Sequence, residues 1–351
     1  MIRKLLFSCC IAVLAWGMGT ASHAQSISSV VVSLPGGSPQ SGYCSGTTVN
    51  VAYSTRNIPA MTNFNIELSN ATGSFATPTS LGTTTAASSA NVTLPNSLNG
   101  TAYKIRVRAT VGMTNYSGES TSFSINATPT INSVDDPNES KCTGQLFSAI
   151  NFSGTNATSF SWTSNANVGF GTSGNGNIAS TNASNGGTSN VVATVTATPF
   201  NGACAGTATT FTVTAKPRPT MSGISSTSYC NGAAGAAINF SSNIPSTSYL
   251  WNSSANVGFG VSGTTNIGGY TATNSGNAPT TASVSVTPSA NGCSGSNVNF
   301  NVTVNPTPSV SAVSSVTHCG GLVVPGITFS SPTSGVSLNW TSASNVGFGT
   351  S

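Results

Sequence analysis

The side chains that could do chemistry are the acids, the histidines and the cysteines, and the acids are scarce. Beyond residue 24 the sequence holds five acidic residues, four of them between Glu119 and Glu139. Catalysis by paired carboxylates needs two acids across a cleft, and this clustering supplies no such pair. A Ser-His-Asp arrangement would have to use His318, which has no acid nearby in the sequence. The sequence therefore predicts no catalytic residue, no cofactor and no enzymatic activity.

The one acidic cluster is Asp135-Asp136-Pro137-Asn138-Glu139. Hard oxygen ligands of this kind suit Ca²⁺, so a calcium site is one interpretation. The matching places further along the chain carry no acids, and we favour a solvated loop. We predict no metal site, because the sequence beyond residue 24 also holds only one histidine and no Cys-x-x-Cys pair.

A row of cations forms the second charged feature. Lys104, Arg106 and Arg108 alternate with apolar residues, so all three should share one exposed face of a strand. That face could meet an anionic polysaccharide, but a solubilising face that discourages edge pairing is the interpretation we favour. The net charge of the whole chain is only +4, which argues against a nucleic-acid partner, since such proteins need dense basic patches.

An internal repeat organises most of the chain. Trp162, Trp251 and Trp340 follow one another at intervals of 89 residues, and each opens a phrase that ends in Asn-Val-Gly-Phe-Gly. Large aromatic residues on central strands anchor the cores of Ig-like sandwiches. We therefore predict six core anchors, the three tryptophans and the phenylalanines of the phrase: Trp162, Trp251, Trp340, Phe170, Phe259 and Phe348.

A period near 90 residues is the size of a small β-sandwich with its own core. Few good helix formers and strands such as Val298–Val304, with apolar and polar residues alternating, favour an all-β chain. We predict tandem β-sandwiches separated by Pro-rich joints, the last one truncated. The expected modules are 25–127, 128–217, 218–306 and 307–351, of which the last is the truncated one.

Six cysteines remain beyond residue 24, and their spacing follows the repeat. Each complete repeat holds two cysteines 62 or 63 residues apart, which in an exported protein predicts intradomain disulfides. The predicted pairs are Cys142 with Cys204, and Cys230 with Cys293. Cys319 would find its partner beyond Ser351, and no partner is predicted for Cys44.

The N-terminus has the pattern of a secretory signal peptide. Two cations precede an apolar run from Leu5 to Met18, and small residues precede a predicted cleavage between Ala24 and Gln25. The apolar run is short for a membrane span. We expect a mature chain that is exported, with no transmembrane segment, and that lies outside the cell or at its surface.

The repeat phrase, with the Ala-Asn-Gly-Cys-Ser-Gly segment at 290–295 and the Val-Asn-Pro-Thr-Pro joint at 304–308, resembles PKD-like domains. Such domains occur in giant surface proteins of Bacteroidetes-type bacteria, gliding-motility adhesins among them, and the likeness covers residues 129–351. Residues 25–127 are similar to the Ig-like domain that often precedes them. The resemblance implies non-catalytic extracellular modules, often exported by a type IX system that reads a C-terminal sorting domain.

Three functions fit these features. The first is an adhesin or structural surface component, in which weak contacts to surface polysaccharide or other cell-surface material are summed over many repeats. The second is a stalk that carries an enzyme or binding domain beyond residue 351. The third is a carbohydrate-binding module, with residues 25–127 as its candidate.

Overall fold

The computed structural model describes residues 24–349, which fold into strands and turns without a helix. The signal peptide predicted over residues 1–24 lies, apart from Ala24, outside the described residues. The all-β architecture predicted from the sequence is confirmed, and the sheets are those of successive β-sandwiches.

Ten strands build the first sandwich. They are β1 (Ser26–Ser33), β2 (Gly42–Cys44), β3 (Thr48–Arg56), β4 (Phe64–Leu68), β5 (Thr79–Thr84), β6 (Ser89–Thr93), β7 (Gly100–Tyr103), β8 (Ile105–Val111), β9 (Thr114–Glu119) and β10 (Phe123–Asn126). One layer is the sheet β1-β3-β6 and the other is β5-β4-β8-β9, with a third small sheet of order β2-β10-β7. Apolar residues that alternate along these strands form one core between the layers, as Val49 and Val51 of β3 do against Ile66 of β4 and Ile105 of β8.

The second and third sandwiches repeat one pattern of strands. The second contains β11 (Thr130–Val134), β12 (Ser140–Cys142), β13 (Leu146–Phe147), β14 (Phe152–Thr155), β15 (Ser159–Ser164), β16 (Ser173–Asn175), β17 (Thr181–Asn182), β18 (Val191–Asn201), β19 (Cys204–Ala205) and β20 (Thr209–Lys216). The third contains β21 (Thr227–Cys230), β22 (Ala234–Gly235), β23 (Ser248–Ser253), β24 (Ser262–Gly263), β25 (Tyr270–Thr271), β26 (Thr280–Ala290), β27 (Cys293–Ser294) and β28 (Val298–Asn305).

The main sheets of these two sandwiches have the same order. It is β12-β20-β18-β15-β16 in the second and β21-β28-β26-β23-β24 in the third, with β19 and β27 as short additions to β18 and β26. Period-two patterning explains the long strands: along β26, Ala282, Val284 and Val286 are buried, and the Ser and Thr residues between them are not. The first strand of each main sheet runs parallel to the last strand of its sandwich. The long strands pair antiparallel, β18 with β20 in the second sandwich, and β26 with β23 and β28 in the third.

Residues 306–349 contain no strand, although their sequence repeats the start of the earlier modules. Two predicted core anchors are therefore wrong. Phe348 is 46% exposed and Trp340 is only half-buried, because no sheet within the described residues covers them. The ring of Trp340 still meets that of Phe348 edge-on at 5.6 Å, so the local aromatic pair forms without the surrounding core.

The chain divides into two compact units whose boundary cuts through the second sandwich. Residues 24–133, 153–161 and 198–208 form one unit, and residues 134–152, 162–197 and 209–349 form the other. The turn between β18 and β20 thus belongs to the same unit as the first sandwich.

Candidate functional site

Two carboxylates of the acidic cluster, those of Glu139 and Asp135, bind residues further along the chain. Glu139 accepts hydrogen bonds from the amide and hydroxyl of Ser148, at 2.9 and 3.3 Å, and its carboxylate lies 2.9 Å from the amine of Lys141. Asp135 accepts a hydrogen bond from Asn151 at 3.4 Å. No group of three or more potential metal ligands is found within residues 24–349. Asp135 and Asp136 are exposed, as expected of a solvated loop, whereas the side chain of Glu139 is only 13% exposed.

Arg106 and Arg108 of the cationic row lie on β8, Lys104 immediately precedes that strand, and the row is paired with acids on both neighbouring strands. Arg106 donates to Glu67 of β4 at 2.9 and 2.6 Å, and Arg108 approaches the same carboxylate at 3.7 Å. Lys104 lies 3.5 Å from Glu119 of β9. Two carboxylates thus offset much of the positive charge of the row, which leaves little free charge to attract an anionic polymer.

The Asn-Val-Gly-Phe-Gly phrase folds into a tight turn. In the second sandwich, the side-chain oxygen of Asn167 accepts the amides of Gly169 and Gly171, both at 2.9 Å. The same two bonds form at Asn256 and at Asn345. The glycines have φ between +89° and +134°, a region that other residues rarely adopt. The turn therefore requires the asparagine and the two glycines at these positions, which explains why all three copies of the phrase share them.

Within this phrase the core position differs from the one predicted. Val168 and Val257 are fully buried, whereas Phe170 and Phe259 are half-buried. Trp162 and Trp251 lie in the cores of their sandwiches, 6% and 4% exposed, and each meets its phenylalanine edge-on. The phenylalanines thus cover the tryptophan rings from the side of the turn.

Three cysteines share one structural position. Each ends the short strand that runs parallel to the last strand of its sandwich: Cys44 lies beside Asn126, Cys142 beside Lys216, and Cys230 beside Asn305. The partner residue is at the end of that last strand in every case. These three cysteines, which we call the exit cysteines, therefore lie where the chain leaves the sandwich.

Two further cysteines occupy the opposite end. Cys204 and Cys293 follow the turns that end β18 and β26, and we call them turn cysteines. Gly206 lies against the carbonyl oxygen of Pro129, and Gly295 lies against that of Pro219. Both approaches are so close that an added Cβ would be about 2 Å from the oxygen. These prolines open the second and third sandwiches, so the turn cysteines lie where the chain enters each sandwich.

The two disulfides join an exit cysteine to the turn cysteine of the following sandwich. Cys44 is bonded to Cys204 and Cys142 to Cys293, with Cα–Cα distances of 5.5 and 5.7 Å. Cys230 and Cys319 are free and exposed. The sequence spacing had left Cys44 without a partner, and the structure assigns it one.

The predicted intradomain pairs, Cys142 with Cys204 and Cys230 with Cys293, are therefore wrong. The seven residue steps along β20 from Thr209 to Lys216 correspond to about 23 Å of strand. A disulfide needs Cα atoms within about 7 Å, and the two cysteines of one repeat lie at opposite ends of that strand. The spacing of the cysteines along the sequence predicts the repeat correctly, but it does not indicate which end of the sandwich each cysteine occupies.

The linker at each exit is held by the residue after the exit cysteine. The amide of Thr128 donates to the hydroxyl of Ser45 at 3.3 Å, and the guanidinium of Arg218 donates to the carbonyl of Thr143 at 2.6 Å. In the third sandwich, Asn231 donates to the hydroxyl of Thr307 at 3.0 Å. Each linker residue immediately precedes the proline that opens the next module.

Additional contacts connect the linkers to the disulfide-bonded turns. Asn201 donates from its side-chain amide to the carbonyl of Ala127 at 3.0 Å, and Arg218 donates to the carbonyl of Ser294 at 3.3 Å. Exit cysteine, linker and turn cysteine thus form one contact site that occurs at two places in the chain. We take this cysteine junction to be the candidate functional site.

No family model and no curated protein matches this chain. Sequence identities to similar solved structures are low. Immunoglobulin domains 1–5 of Sidekick-1 are 13% identical over 82% of this chain and 61% of that structure, with a TM-score of 0.30. The three N-terminal domains of the highly immunogenic outer capsid protein of bacteriophage RB49 are 14% identical over 80% and 99%, with a TM-score of 0.29.

The FN1–FN3 domains of chicken CNTN1 are 10% identical over 79% of this chain and 98% of that structure, with a TM-score of 0.27. The chain spans about three fifths of the Sidekick-1 structure. None of the described residues forms a helix long and apolar enough to cross a bilayer.

Proposed function

We propose that this chain is a non-catalytic structural component of an extracellular surface, in which disulfides between successive sandwiches make the row of modules resistant to extension. The observation that carries the proposal is that both disulfides, Cys44–Cys204 and Cys142–Cys293, join neighbouring sandwiches. A disulfide within one module would protect that module alone. A disulfide that crosses a joint also prevents the joint from opening.

The covalent route through the chain explains how these bonds would limit extension. The two disulfides enclose overlapping segments, so the shortest route from Cys44 to Cys293 passes through only the 62 residue steps between Cys142 and Cys204. Without them the route is 249 residue steps long. While the two disulfides are intact, about 187 residue steps therefore bear no pulling force.

The location proposed for this function is the outside of a cell. Disulfides persist in oxidising compartments, and the signal peptide predicted at the N-terminus would bring the chain there. The likeness of the repeat phrase to PKD-like domains of large bacterial surface proteins supports the same location. We propose a cell-surface filament of this type, with surface polysaccharide or other cell-surface material as its partner and with a type IX route of export.

A pulling experiment on single molecules tests the load-bearing role. The chain is held at residue 25 and residue 351, and its fully unfolded length is measured with and without a reductant. At ~3.5 Å per residue step, the oxidised chain should be shorter than the reduced chain by about 650 Å. The double variant Cys44→Ser/Cys142→Ser is the control, and its length should not respond to the reductant.

Two outcomes would contradict the proposal. Equal lengths under both conditions would show that no disulfide bears load. A difference of only about 440 Å would correspond to intradomain bonds of 62 and 63 residue steps. Such bonds would leave the joints free to open, and the function would then be that of unlinked modules on flexible joints.

A further inference from the structure

Cys230 is free and exposed, but it occupies the same position as two cysteines that are bonded. It ends β21, beside Asn305 at the end of β28, as Cys44 lies beside Asn126 and Cys142 beside Lys216. In each sandwich the amide of the residue after this cysteine also donates to the carbonyl at the end of the last strand. The donors are Ser45 at 2.9 Å, Thr143 at 2.8 Å and Asn231 at 2.9 Å. Cys230 is therefore an exit cysteine by every backbone contact that defines the position.

The linker beside Cys230 is already held as it is at the bonded junctions. Asn231 binds Thr307, the residue before Pro308, just as Ser45 binds Thr128 before Pro129 and Thr143 binds Arg218 before Pro219. This contact is independent of the thiol. It shows that the third junction has the exit strand and the linker of the other two, and lacks only a turn cysteine.

We infer that Cys230 is the attachment point for the turn cysteine of a further sandwich of the same kind, one that follows the linker at Pro308. The partner is a β-hairpin turn with the pattern shared by Asn201–Gly206 and Ala290–Gly295, in which a cysteine follows an Asn-Gly pair by one or two residues. Cys319 does not fit this role, because its place in the repeat is that of an exit cysteine, 89 residues after Cys230.

The bond forms by thiol–disulfide exchange with a disulfide oxidant. One thiolate attacks the oxidant and releases one of its sulfurs as a thiol, which leaves a mixed disulfide. The second thiolate then displaces the remaining part of the oxidant. The Sγ–Sγ bond replaces two S–H bonds, and the two protons and two electrons end on the two thiols released from the oxidant. The inference rests on the junction geometry and does not need the load-bearing role.

A chain extended at its C-terminus tests the inference. Ser351 occupies the same place in the repeat as Ser262, so a copy of residues 263–306 added after Ser351 completes the module that begins at residue 307. The extended chain is refolded with oxidised glutathione as the oxidant. It is then alkylated without reduction, digested with trypsin and chymotrypsin, and its linked peptides are identified by mass spectrometry.

The expected result is a peptide that links Cys230 to the cysteine of the added segment, together with loss of alkylation at Cys230. A control carries serine in place of the added cysteine, and there Cys230 should remain fully alkylated. A bond from the added cysteine to Cys319, or a Cys230 that stays alkylated in the extended chain, would overturn the inference.

A second extended chain keeps the test decisive if the completed module does not fold. In it, residues 307–351 are replaced by a second copy of residues 218–306, which forms a complete sandwich in this structure. Cys230 of the first copy should pair with the turn cysteine of the second copy. If each copy instead bonds its own two cysteines, or if Cys230 stays free, the inference is wrong.

Discussion

At the scale of single residues, the aromatic core and a few buried polar groups determine how well each sandwich holds together. Trp251 is 4% exposed, donates from its indole nitrogen to the carbonyl of Thr265 at 2.9 Å, and lies so close to Gly263 that a Cβ there would be 2.7 Å from the ring. Trp162 has the same place against Gly174, without a hydrogen-bond partner for its buried indole nitrogen. The repeat thus preserves the packing of the ring more strictly than its hydrogen bond.

Replacing Trp251 by Ala should destabilise the third sandwich by about 3–5 kcal/mol, because a large buried ring is lost and a cavity remains. Calorimetry of the whole chain should show one transition moved to lower temperature. The matched control is Trp340→Ala, which removes the same residue type from a half-buried position outside any strand. The control should leave every transition unchanged, and an unchanged profile for Trp251→Ala would contradict the core assignment.

Stability should fall at alkaline pH because of Tyr53 and Tyr270. Burial raises the pKa of both phenols above the ordinary value of 10.0, and for Tyr270 the charge of Tyr229 adds to the effect. A phenol whose pKa is higher in the folded state favours folding as long as it is neutral. Its contribution is complete below pH 10 and is lost as the pH rises through the folded-state value.

The measurement for this prediction is the ultraviolet absorbance of phenolate during an alkaline titration. The Tyr53→Phe variant should lose one late-titrating component and keep the early ones. If the variant instead loses an early component, Tyr53 ionises as an exposed phenol would, and the pH dependence has another origin.

At the scale of elements, β8 shows how charge is accommodated on a strand that is half buried. The carboxylate of Glu67 faces Arg106 and Arg108, and Glu67 is only 8% exposed. The guanidinium of Arg106 also lies over the ring of Phe75, 4.3 Å from its centroid. The charged face of this sheet is therefore part of its packing.

Replacing Glu67 by Gln should destabilise the first sandwich by about 1–3 kcal/mol, because it leaves Arg106 with its charge unpaired in a partly buried site. Glu119→Gln is the matched control, since the pair of Glu119 with Lys104 is exposed and should contribute about 0–1 kcal/mol. Urea unfolding of both variants measures the difference. Equal losses of unfolding free energy in the two variants would contradict the prediction that the buried carboxylate stabilises the sandwich more than the exposed one.

The sequence predicted strands well and the chemistry of the charges less well. The alternation of apolar residues over Val298–Val304 located β28 to within one residue, because period-two burial is a local property of the chain. Alternation of the same kind placed Lys104, Arg106 and Arg108 on one face. It could not reveal Glu67 and Glu119 as their partners, since these acids come from two other strands and only the register of the sheet brings them opposite.

At the scale of the whole molecule, the disulfides connect successive sandwiches and do not close a loop within one of them. Spacing correctly predicted that the cysteines belong to the repeat, and the pairing depended on two facts that spacing does not contain. The exit cysteines lie on strands parallel to the last strand, at the far end from the turn cysteines. Cys44, which had no partner in its own module, was the one sign in the sequence that bonds cross from module to module.

The most direct test of this account is a disulfide map of the unmodified chain from residue 25 to Ser351. Trypsin cleaves after Lys141 but not before Pro217 or Pro219, so chymotrypsin is needed to separate the remaining cysteines; Phe200, Tyr229, Tyr270 and Phe300 provide the cleavage sites. The account predicts linked peptides for Cys44–Cys204 and Cys142–Cys293, with Cys230 and Cys319 alkylated. Peptides that link Cys142 to Cys204 and Cys230 to Cys293 would contradict it.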